Sequence, residues 1–240
     1  MAVTRPKSFH EQIVETLGRR IVSGEIAPQG QVPTEAALAE SLGVGRLALR
    51  EAMKALAARG LVVIRPKTGT HVLPREHWNL FDPLVLKWHT QAAAIDRKFL
   101  ADLIELRRVI EPAAARLAAA NGSDADIALM RESFEAMVAA RTREDYIQAD
   151  LRFHGMLLKA SGNQFIGQLA GALSEVLKTS FSASSTHSAD AAALGLHEDL
   201  LRACEARDPQ AADQAVQALI ARAVRNIASG QVAQGGPSQA

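Results

Sequence analysis

At 240 residues the chain is long enough for two modest domains or one large one, and its net charge of +1 identifies no partner by itself. Hydrophobic residues make up 48% of the chain and aromatic residues 4%, which favours closely packed helices over a β-sandwich. The single cysteine, Cys204, excludes an intrachain disulfide, and we expect it to be a small buried apolar residue. Because no apolar run could span a bilayer and no signal peptide precedes the first helix, we expect a soluble, cytoplasmic protein without a membrane partner.

A first helix is predicted after Ser8, which suits the N-cap position. Apolar residues then recur at helical spacing: Phe9, Ile13, Val14, Leu17 and Ile21. Prolines and a glycine predict a loop over residues 25–33. Thr34 suits the N-cap of a second helix over residues 35–41.

A tight turn at Leu42-Gly43-Val44 leads to a third predicted helix over residues 45–59, with Gly60 as its stop. Apolar, β-branched runs over residues 61–64 and 70–73 flank a turn-rich segment and predict a β-hairpin with a basic tip. The predicted order is helix, helix, turn, helix and a two-stranded wing.

The rest of the chain is predicted to be almost entirely helical. After a linker over residues 74–83, a short helix is predicted at 84–91. Longer helices are predicted at 97–119, 124–140, 144–161, 164–184, 189–207 and 209–228. We therefore expect a mainly α fold with four parts: a winged helix-turn-helix domain (1–77), a linker helix (78–95), an all-α antiparallel helical bundle (96–228) and a disordered tail (229–240).

Charge supports this division. Residues 1–77 contain eleven Lys and Arg against seven Asp and Glu, whereas the remainder is slightly acidic. On the third helix Arg46, Arg50 and Lys54 are spaced four residues apart, so they form one cationic stripe. Apolar residues occupy another face of that helix. A helix of this kind after a tight turn can be placed in a DNA major groove.

Residues 9–73 resemble the winged helix of the GntR family. The motifs that carry the resemblance occur in order and without a gap: Val32-Pro33-Thr34-Glu35, Leu42-Gly43-Val44-Gly45-Arg46, Arg50-Glu51-Ala52, Gly60-Leu61-Val62 and Gly69-Thr70-His71-Val72. Gly45 and Ala48 depart from the Ser and Pro that are usual in the family. Gly45 loses a hydroxyl that could cap the helix, so we expect weaker or shifted DNA contacts there.

The carboxyl-terminal part resembles the FadR-type effector domain, called FCD. The matching residues are Glu105-Leu106-Arg107 with Glu111, Asp150-Leu151-Arg152-Phe153-His154, Ala160-Ser161-Gly162-Asn163 and His197. The segment Trp78-Asn79-Leu80-Phe81-Asp82-Pro83 is similar to the galactonate-operon repressor branch of that subfamily.

The resemblance implies a DNA interface made by the third helix, the residues before the second helix and the wing tip. Arginine suits guanine edges and phosphates because its guanidinium is a planar fork, so Arg46 and Arg50 are the first candidates. The full set of predicted DNA-binding residues is Thr34, Glu35, Gly45, Arg46, Leu47, Arg50, Lys54, Lys67, Thr68, Gly69, Thr70 and His71.

The resemblance also implies a metal site that holds a carboxylate effector. Asp150 and His154 are spaced i, i+4 on one predicted helix, and His197 comes from another. The family's last histidine ligand corresponds to Leu219, which cannot bind a metal. Three ligands could still hold Zn²⁺ or another divalent ion; alternatively, Asp150 and His154 bind each other or the effector directly.

The predicted effector-binding residues are Arg107, Asp150, His154, Asn163 and His197, with Arg152 as a further candidate. Arg107 would bind the effector's carboxylate, or else pair with Glu111 four residues later.

We therefore predict a homodimeric DNA-binding regulator and not an enzyme. The expected function is repression of a sugar-acid catabolic operon from a double-stranded operator, released by a small carboxylate. Two alternatives remain: the same regulator with an amino-acid-derived or acyl-CoA effector, and a metal-dependent hydrolase built on Asp150, His154 and His197.

Overall fold

A computed structural model describes residues 8–90, 96–171 and 191–234, with side chains to residue 225. The chain divides into two compact units, residues 1–95 and 96–240. The first unit contains the helices α1 (Phe9–Val22), α2 (Glu35–Leu42), α3 (Arg46–Ala58) and α4 (Pro83–Thr90). It also contains the strands β1 (Val62–Arg65) and β2 (Gly69–Val72) and a short 3-10 helix, Arg75–His77.

The helix starts of the first unit follow the predicted caps. The Ser8 hydroxyl accepts from the Glu11 amide, and the Glu11 carboxylate accepts from the Ser8 amide, forming a capping box. Phe9 was predicted on the apolar face of α1 but is 71% exposed, because it is the first helical residue and lies beyond the core. Gly43 adopts a left-handed conformation (φ 63°) after α2, which produces the predicted tight turn.

The wing is an antiparallel hairpin in which Val62 pairs with Val72 and Arg65 with Gly69. An additional bridge joins Gln31 to His71, so the loop before α2 is attached to the wing. The buried side of the hairpin joins a core formed mainly by α1 and α3. Its members include Leu17, Ile21, Leu49, Leu56 and Leu61.

The segment predicted as a linker helix is packed into the first unit. Trp78, Val85 and Trp88 are buried in the same apolar cluster as the winged helix. Trp88 lies against Gly18 of α1, where the ring occupies the space that a Cβ atom would need. Asp82 caps α4 through the amides of Leu84 and Val85. Residues 91–95, the end of the predicted linker, lie outside the described residues.

The second unit is helical throughout its described part. Its helices are α5 (Arg97–Asn121), α6 (Asp124–Val138), α7 (Arg143–Ala160), α8 (residues 164–171), α9 (Ala191–Glu205) and α10 (Pro209–Gln234). The core lies where α5, α6, α7, α9 and α10 meet, around Phe153, Leu157, Leu200 and Val216. Alanines at the helix contacts, such as Ala115 and Ala118, allow close packing, as the low aromatic content predicted.

The carboxyl-terminal end of the second unit differs from the sequence prediction. The last helix continues to Gln234, so residues 229–234, predicted as part of a disordered tail, are helical. Several predicted features lie outside the described residues. They are the rest of that tail, the part of the helix 164–184 beyond residue 171, the break at 184–188 and the helix start at 189–190. No helix in the described part is both long and apolar enough to cross a bilayer.

Candidate functional sites

Helix α3 presents an apolar face to the core and polar groups to the outside. Leu49, Ala52, Met53 and Leu56 are buried, whereas Arg46, Leu47, Arg50 and Lys54 are exposed. This amphipathic division was the basis for placing α3 in a DNA groove. The structure therefore provides a cationic outer face at the position that a recognition helix requires.

The cations of α3 have acidic partners. Arg50 Nε lies 3.0 Å from the Glu35 carboxylate of α2, and Lys54 Nζ lies 2.8 Å from Glu51. The Lys54 hydrogen bond and charge lower the pKa of Glu51. The Glu51–Lys54 pair could have been found from its i, i+3 spacing, but the Glu35–Arg50 pair joins two helices and has no local sequence signal.

The starts of α2 and α3 differ in their capping. The Thr34 hydroxyl accepts from the Ala37 amide at 3.3 Å. Gly45 occupies the N-cap of α3 and supplies no side-chain hydrogen bond, as the departure from the family pattern predicted. The first amides of α3 therefore keep their hydrogen-bonding capacity for solvent or for an anion such as a phosphate.

The wing tip carries the predicted basic turn in a constrained conformation. Lys67 (φ 69°) and Gly69 (φ 86°) both have left-handed backbones. The Thr68 carbonyl lies 3.0 Å from the amide nitrogen of Gln31 and 3.0 Å from Nε2 of His71. Gln31 was absent from the predicted DNA-site residues, because only the fold brings the loop before α2 beside the wing tip. The Gln31 side chain fixes the Thr68 carbonyl by donating to it, and His71 Nε2 faces the same carbonyl.

Three of the predicted effector-site residues meet in the second unit. Asp150 and His154 of α7 and His197 of α9 are buried, and one potential ligand atom from each lies within 4.8 Å of the others. Asp150 Oδ1 lies 3.0 Å from His197 Nε2, and Asp150 Oδ2 lies 3.9 Å from His154 Nε2. The Phe153 and His197 rings are nearly perpendicular, with their centroids 5.2 Å apart. These donors match the ligand types that bind zinc.

Several polar atoms of this cluster lack a hydrogen bond although they are buried. They are Asp150 Oδ2, His154 Nδ1 and His197 Nε2. His197 Nδ1 lies 2.8 Å from the Ala193 carbonyl, which can only accept, so Nδ1 carries a proton. In a neutral imidazole Nε2 would then point a lone pair at the Asp150 carboxylate. A proton or a metal cation between these two atoms removes that repulsion.

A buried ion pair adjoins the cluster. Arg107 Nε lies 2.6 Å from Glu111 Oε1, and Glu111 Oε2 lies 3.4 Å from His154 Nδ1. This geometry matches the alternative in which Glu111 is the partner of Arg107. The contact between Glu111 and His154 was not predicted, because it joins α5 to α7.

The charges of the cluster stabilise one another. Burial raises the pKa of Glu111, but the nearby Arg107 and His154 outweigh it and hold the pKa at about 2. Burial also opposes ionisation of Asp150, yet its two histidine neighbours lower its pKa. Burial lowers the pKa of His154, but Glu111 and Asp150 raise it overall. The cluster therefore favours ionised carboxylates facing a proton or another cation.

The remaining predicted residues of this unit lie elsewhere or act differently. Asn163 is exposed, and its side-chain oxygen accepts from the Phe165 and Ile166 amides at the start of α8. Arg152 is exposed. Leu219 is buried in the apolar core with no capacity to bind a metal. Cys204 is buried as expected, and burial raises the pKa of its thiol to about 12.

Comparison with known protein families agrees with both halves of the structure. The family of bacterial regulatory proteins called gntR matches residues 9–72, and the FCD domain matches residues 102–222. The first match covers α1 to the wing, and the second covers α5 to α10 and includes the Asp150, His154 and His197 cluster.

Relatives with assigned roles are transcriptional regulators. The chain is 32% identical to the galactonate operon transcriptional repressor of Escherichia coli (strain K12), covering 90% of this chain and 96% of the relative. It is 29% identical to the Glc operon transcriptional activator of the same strain, covering 72% and 69%.

Solved structures show the same fold. The structure titled "Lar controls the expression of the Listeria monocytogenes agr system and mediates virulence" superposes with a TM-score of 0.68 at 17% identity, covering 94% of this chain and 99% of that one. The matched families and the named relatives are transcriptional regulators, which agrees with the predicted regulator and not with the hydrolase alternative. The chain belongs to the gntR family of bacterial regulatory proteins, with an FCD domain after its winged helix, and it is a DNA-binding transcriptional regulator.

Proposed function

We propose that this protein is a homodimeric repressor of a sugar-acid catabolic operon and that a small carboxylate releases it from its operator. The observation that carries the effector half is the group of buried, unsatisfied polar atoms on Asp150, His154 and His197. Leaving such atoms unpaired costs free energy, which a bound cation and an anionic ligand would recover. Similarity to the galactonate operon repressor supports an aldonate as the effector.

The DNA half of the proposal assigns the operator contacts to the first unit. Arg46 and Arg50 reach base edges or phosphates from α3, and Lys54 provides a further positive charge. The wing tip of Lys67, Thr68 and Gly69 approaches the backbone or a groove beside it. Thr34, Glu35, Gly45, Thr70 and His71 complete the proposed interface. A dimer would place one recognition helix in each half of a pseudo-palindromic operator, and this chromosomal target would place the protein in the cytoplasm.

The metal half of the proposal assigns Zn²⁺, or another divalent ion, to Asp150, His154 and His197. The three side chains fit such an ion because Asp150 Oδ2 and His197 Nε2 are buried and unsatisfied, and with His154 Nε2 they offer one oxygen and two nitrogen donors. Glu111 would hold the ring of His154 from the opposite side. A bound ion would act as a Lewis acid that leaves a position for the effector's carboxylate.

The buried charges favour a small polar acid over an acyl-CoA. Arg107, Glu111, Asp150 and His154 are all at most 5% exposed, so the cluster provides charge where an acyl chain needs an apolar groove. An amino-acid-derived effector is the second candidate, since its carboxylate could use the same donors. Binding would change operator affinity by altering the arrangement of the two winged helices through residues 78–95. A coupling free energy of about 1–3 kcal/mol is typical of such regulation.

A thermal-shift screen tests the effector and metal assignments. The protein would be heated with aldonates, aldarates and amino-acid-derived acids, each with and without Zn²⁺, alongside the variants Asp150→Asn and Asp102→Asn. Asp102 is an exposed carboxylate of the same unit, paired with Lys98 on α5, and serves as the matched control. We expect Zn²⁺ and an aldonate to raise the melting temperature of the wild type and of Asp102→Asn but not of Asp150→Asn. The same stabilisation in Asp150→Asn, or none in the wild type, would contradict the proposed site.

A further inference from the structure

Leu47 has an unusual position for a large apolar side chain. It is the second residue of α3 and is 76% exposed, more than any other large hydrophobic residue in the described parts of the chain. A single exposed leucine needs no explanation by itself. Leu47, however, lies in the first turn of the helix whose amino-terminal residues contact base edges in helix-turn-helix proteins.

Helical geometry points Leu47 directly away from the core. The buried residues Leu49, Met53 and Leu56 define the inner face of α3. At about 100° per residue, Leu47 lies roughly opposite the centre of that face. Arg46 and Arg50 lie to one side of it. Once α3 is placed in the groove, an apolar group beside the cations faces the base edges.

The major groove offers few apolar surfaces to such a side chain. Each base edge presents hydrogen-bond donors or acceptors, and thymine alone among the four bases adds a methyl group. Leucine has no donor or acceptor, so contact with a polar edge would remove water without replacing its hydrogen bonds. Contact with a methyl group removes apolar surface from water on both sides.

We propose that Leu47 contacts the 5-methyl group of one thymine in each operator half-site and thereby determines base preference at that position. The inference rests on the proposed entry of α3 into the major groove and deepens it by naming the base. Arg46 and Arg50 supply the attraction to DNA, and Leu47 supplies selectivity at a position where the two arginines do not hydrogen-bond. Burial of one methyl group predicts a preference of about fourfold per half-site.

The test uses DNA selected by the protein itself. Wild-type protein would select binding sites from a pool of random double-stranded DNA, and each thymine of the selected site would then be replaced symmetrically by deoxyuridine. This replacement removes only the methyl group and keeps all base-pair hydrogen bonds. The affinities of wild type, Leu47→Ala and Phe9→Ala would be compared on each duplex. Phe9 is 71% exposed on α1 and controls for loss of a surface hydrophobic residue.

We expect one symmetric pair of thymines at which deoxyuridine weakens wild-type binding by about sixteenfold, two fourfold losses combined. Phe9→Ala should show the same loss, whereas Leu47→Ala should bind both duplexes equally. Equal wild-type binding to thymine and deoxyuridine at every position would overturn the inference, as would an unchanged preference in Leu47→Ala. Failure of the wild type to select any sequence would instead contradict DNA binding through α3, and the inference with it.

Discussion

Arg50 of α3 lies 3.0 Å from the carboxylate of Glu35 on α2, so a cation expected to contact DNA already has a partner in the free protein. Both side chains are substantially exposed, at 65% and 40%. An exposed pair of this kind contributes little to stability, because water screens the charges and ordering two long side chains costs entropy. We therefore expect the pair to act mainly on DNA binding, with Glu35 repelling phosphates and restraining the direction of the Arg50 guanidinium.

Replacing Glu35 with Gln should separate affinity from selectivity. Because a negative charge is removed near the phosphates, Glu35→Gln should bind random-sequence duplex about threefold more tightly. Its preference for a selected site should fall, since Arg50 loses the group that orients it. Fluorescence anisotropy on both duplexes over a range of salt concentrations measures the two effects. An unchanged ratio of the two affinities would show that Glu35 does not orient Arg50.

The exposed arginines of α3 should carry operator affinity without supporting the fold. Arg46→Ala and Arg50→Ala each remove one contact from both half-sites, and at about 1–3 kcal/mol per contact we expect binding to a selected duplex to weaken by about 30-fold or more. Circular dichroism and melting temperature should stay close to wild type, because neither side chain is buried. Arg202→Ala, an exposed arginine of α9 paired with Glu198, is the matched control. Unaltered operator binding in both α3 variants would remove α3 from the interface.

The contact between Gly18 and Trp88 should make the first unit sensitive to a single methyl group. In Gly18→Ala the new Cβ would overlap the Trp88 ring, so α4 must shift away from α1. We expect a loss of about 1–3 kcal/mol in the free energy of unfolding and a change in tryptophan emission. Gly155→Ala in α7 is the control. Among the described residues, apart from its chain neighbours and the backbone of α7 itself, no heavy atom lies within 4 Å of the place its new methyl group would take. Alanine should therefore stabilise that helix by about 0.5–1 kcal/mol. An equal change in the free energy of unfolding in Gly18→Ala and Gly155→Ala would contradict the packing of α4 on α1.

Replacing one member of the buried Arg107–Glu111 pair should destabilise the protein much more than replacing both. Arg107→Met leaves Glu111 with His154 as its remaining partner, and Glu111→Leu leaves Arg107 without its carboxylate. We expect each variant to lose about 3–5 kcal/mol of unfolding free energy. The double variant should recover most of this loss, because two apolar side chains replace both charges. Urea unfolding of the three variants measures this coupling. Losses that simply add in the double variant would show that the two residues do not stabilise each other.

Much of the fold could be predicted because its signals are local. The caps at Ser8 and Thr34, the turn at Gly43 and the apolar spacing of α1 are each visible within a few residues of sequence. The Asp150 and His154 pair was equally visible from its i, i+4 spacing, and resemblance to a known family added His197 from another helix.

The parts that could not be predicted depend on contacts between distant segments. Glu35 meets Arg50, Gln31 meets the wing tip and Glu111 meets His154 only after packing brings their elements together. The packing of the linker escaped prediction for the same reason. Residues 78–95 were predicted as a linker helix between two domains, whereas the burial of Trp78 and Trp88 in the core of the winged helix makes α4 part of the first unit.

The most direct test of a ligand-responsive repressor is operator affinity measured with and without an aldonate. Anisotropy titrations would use a duplex selected by the wild type, with galactonate and related acids, in the presence and absence of Zn²⁺. We predict that one of these acids weakens wild-type binding by about 5-fold to 150-fold and leaves Asp150→Asn bound to DNA but unresponsive. An operator affinity that no acid changes under either metal condition would contradict the account.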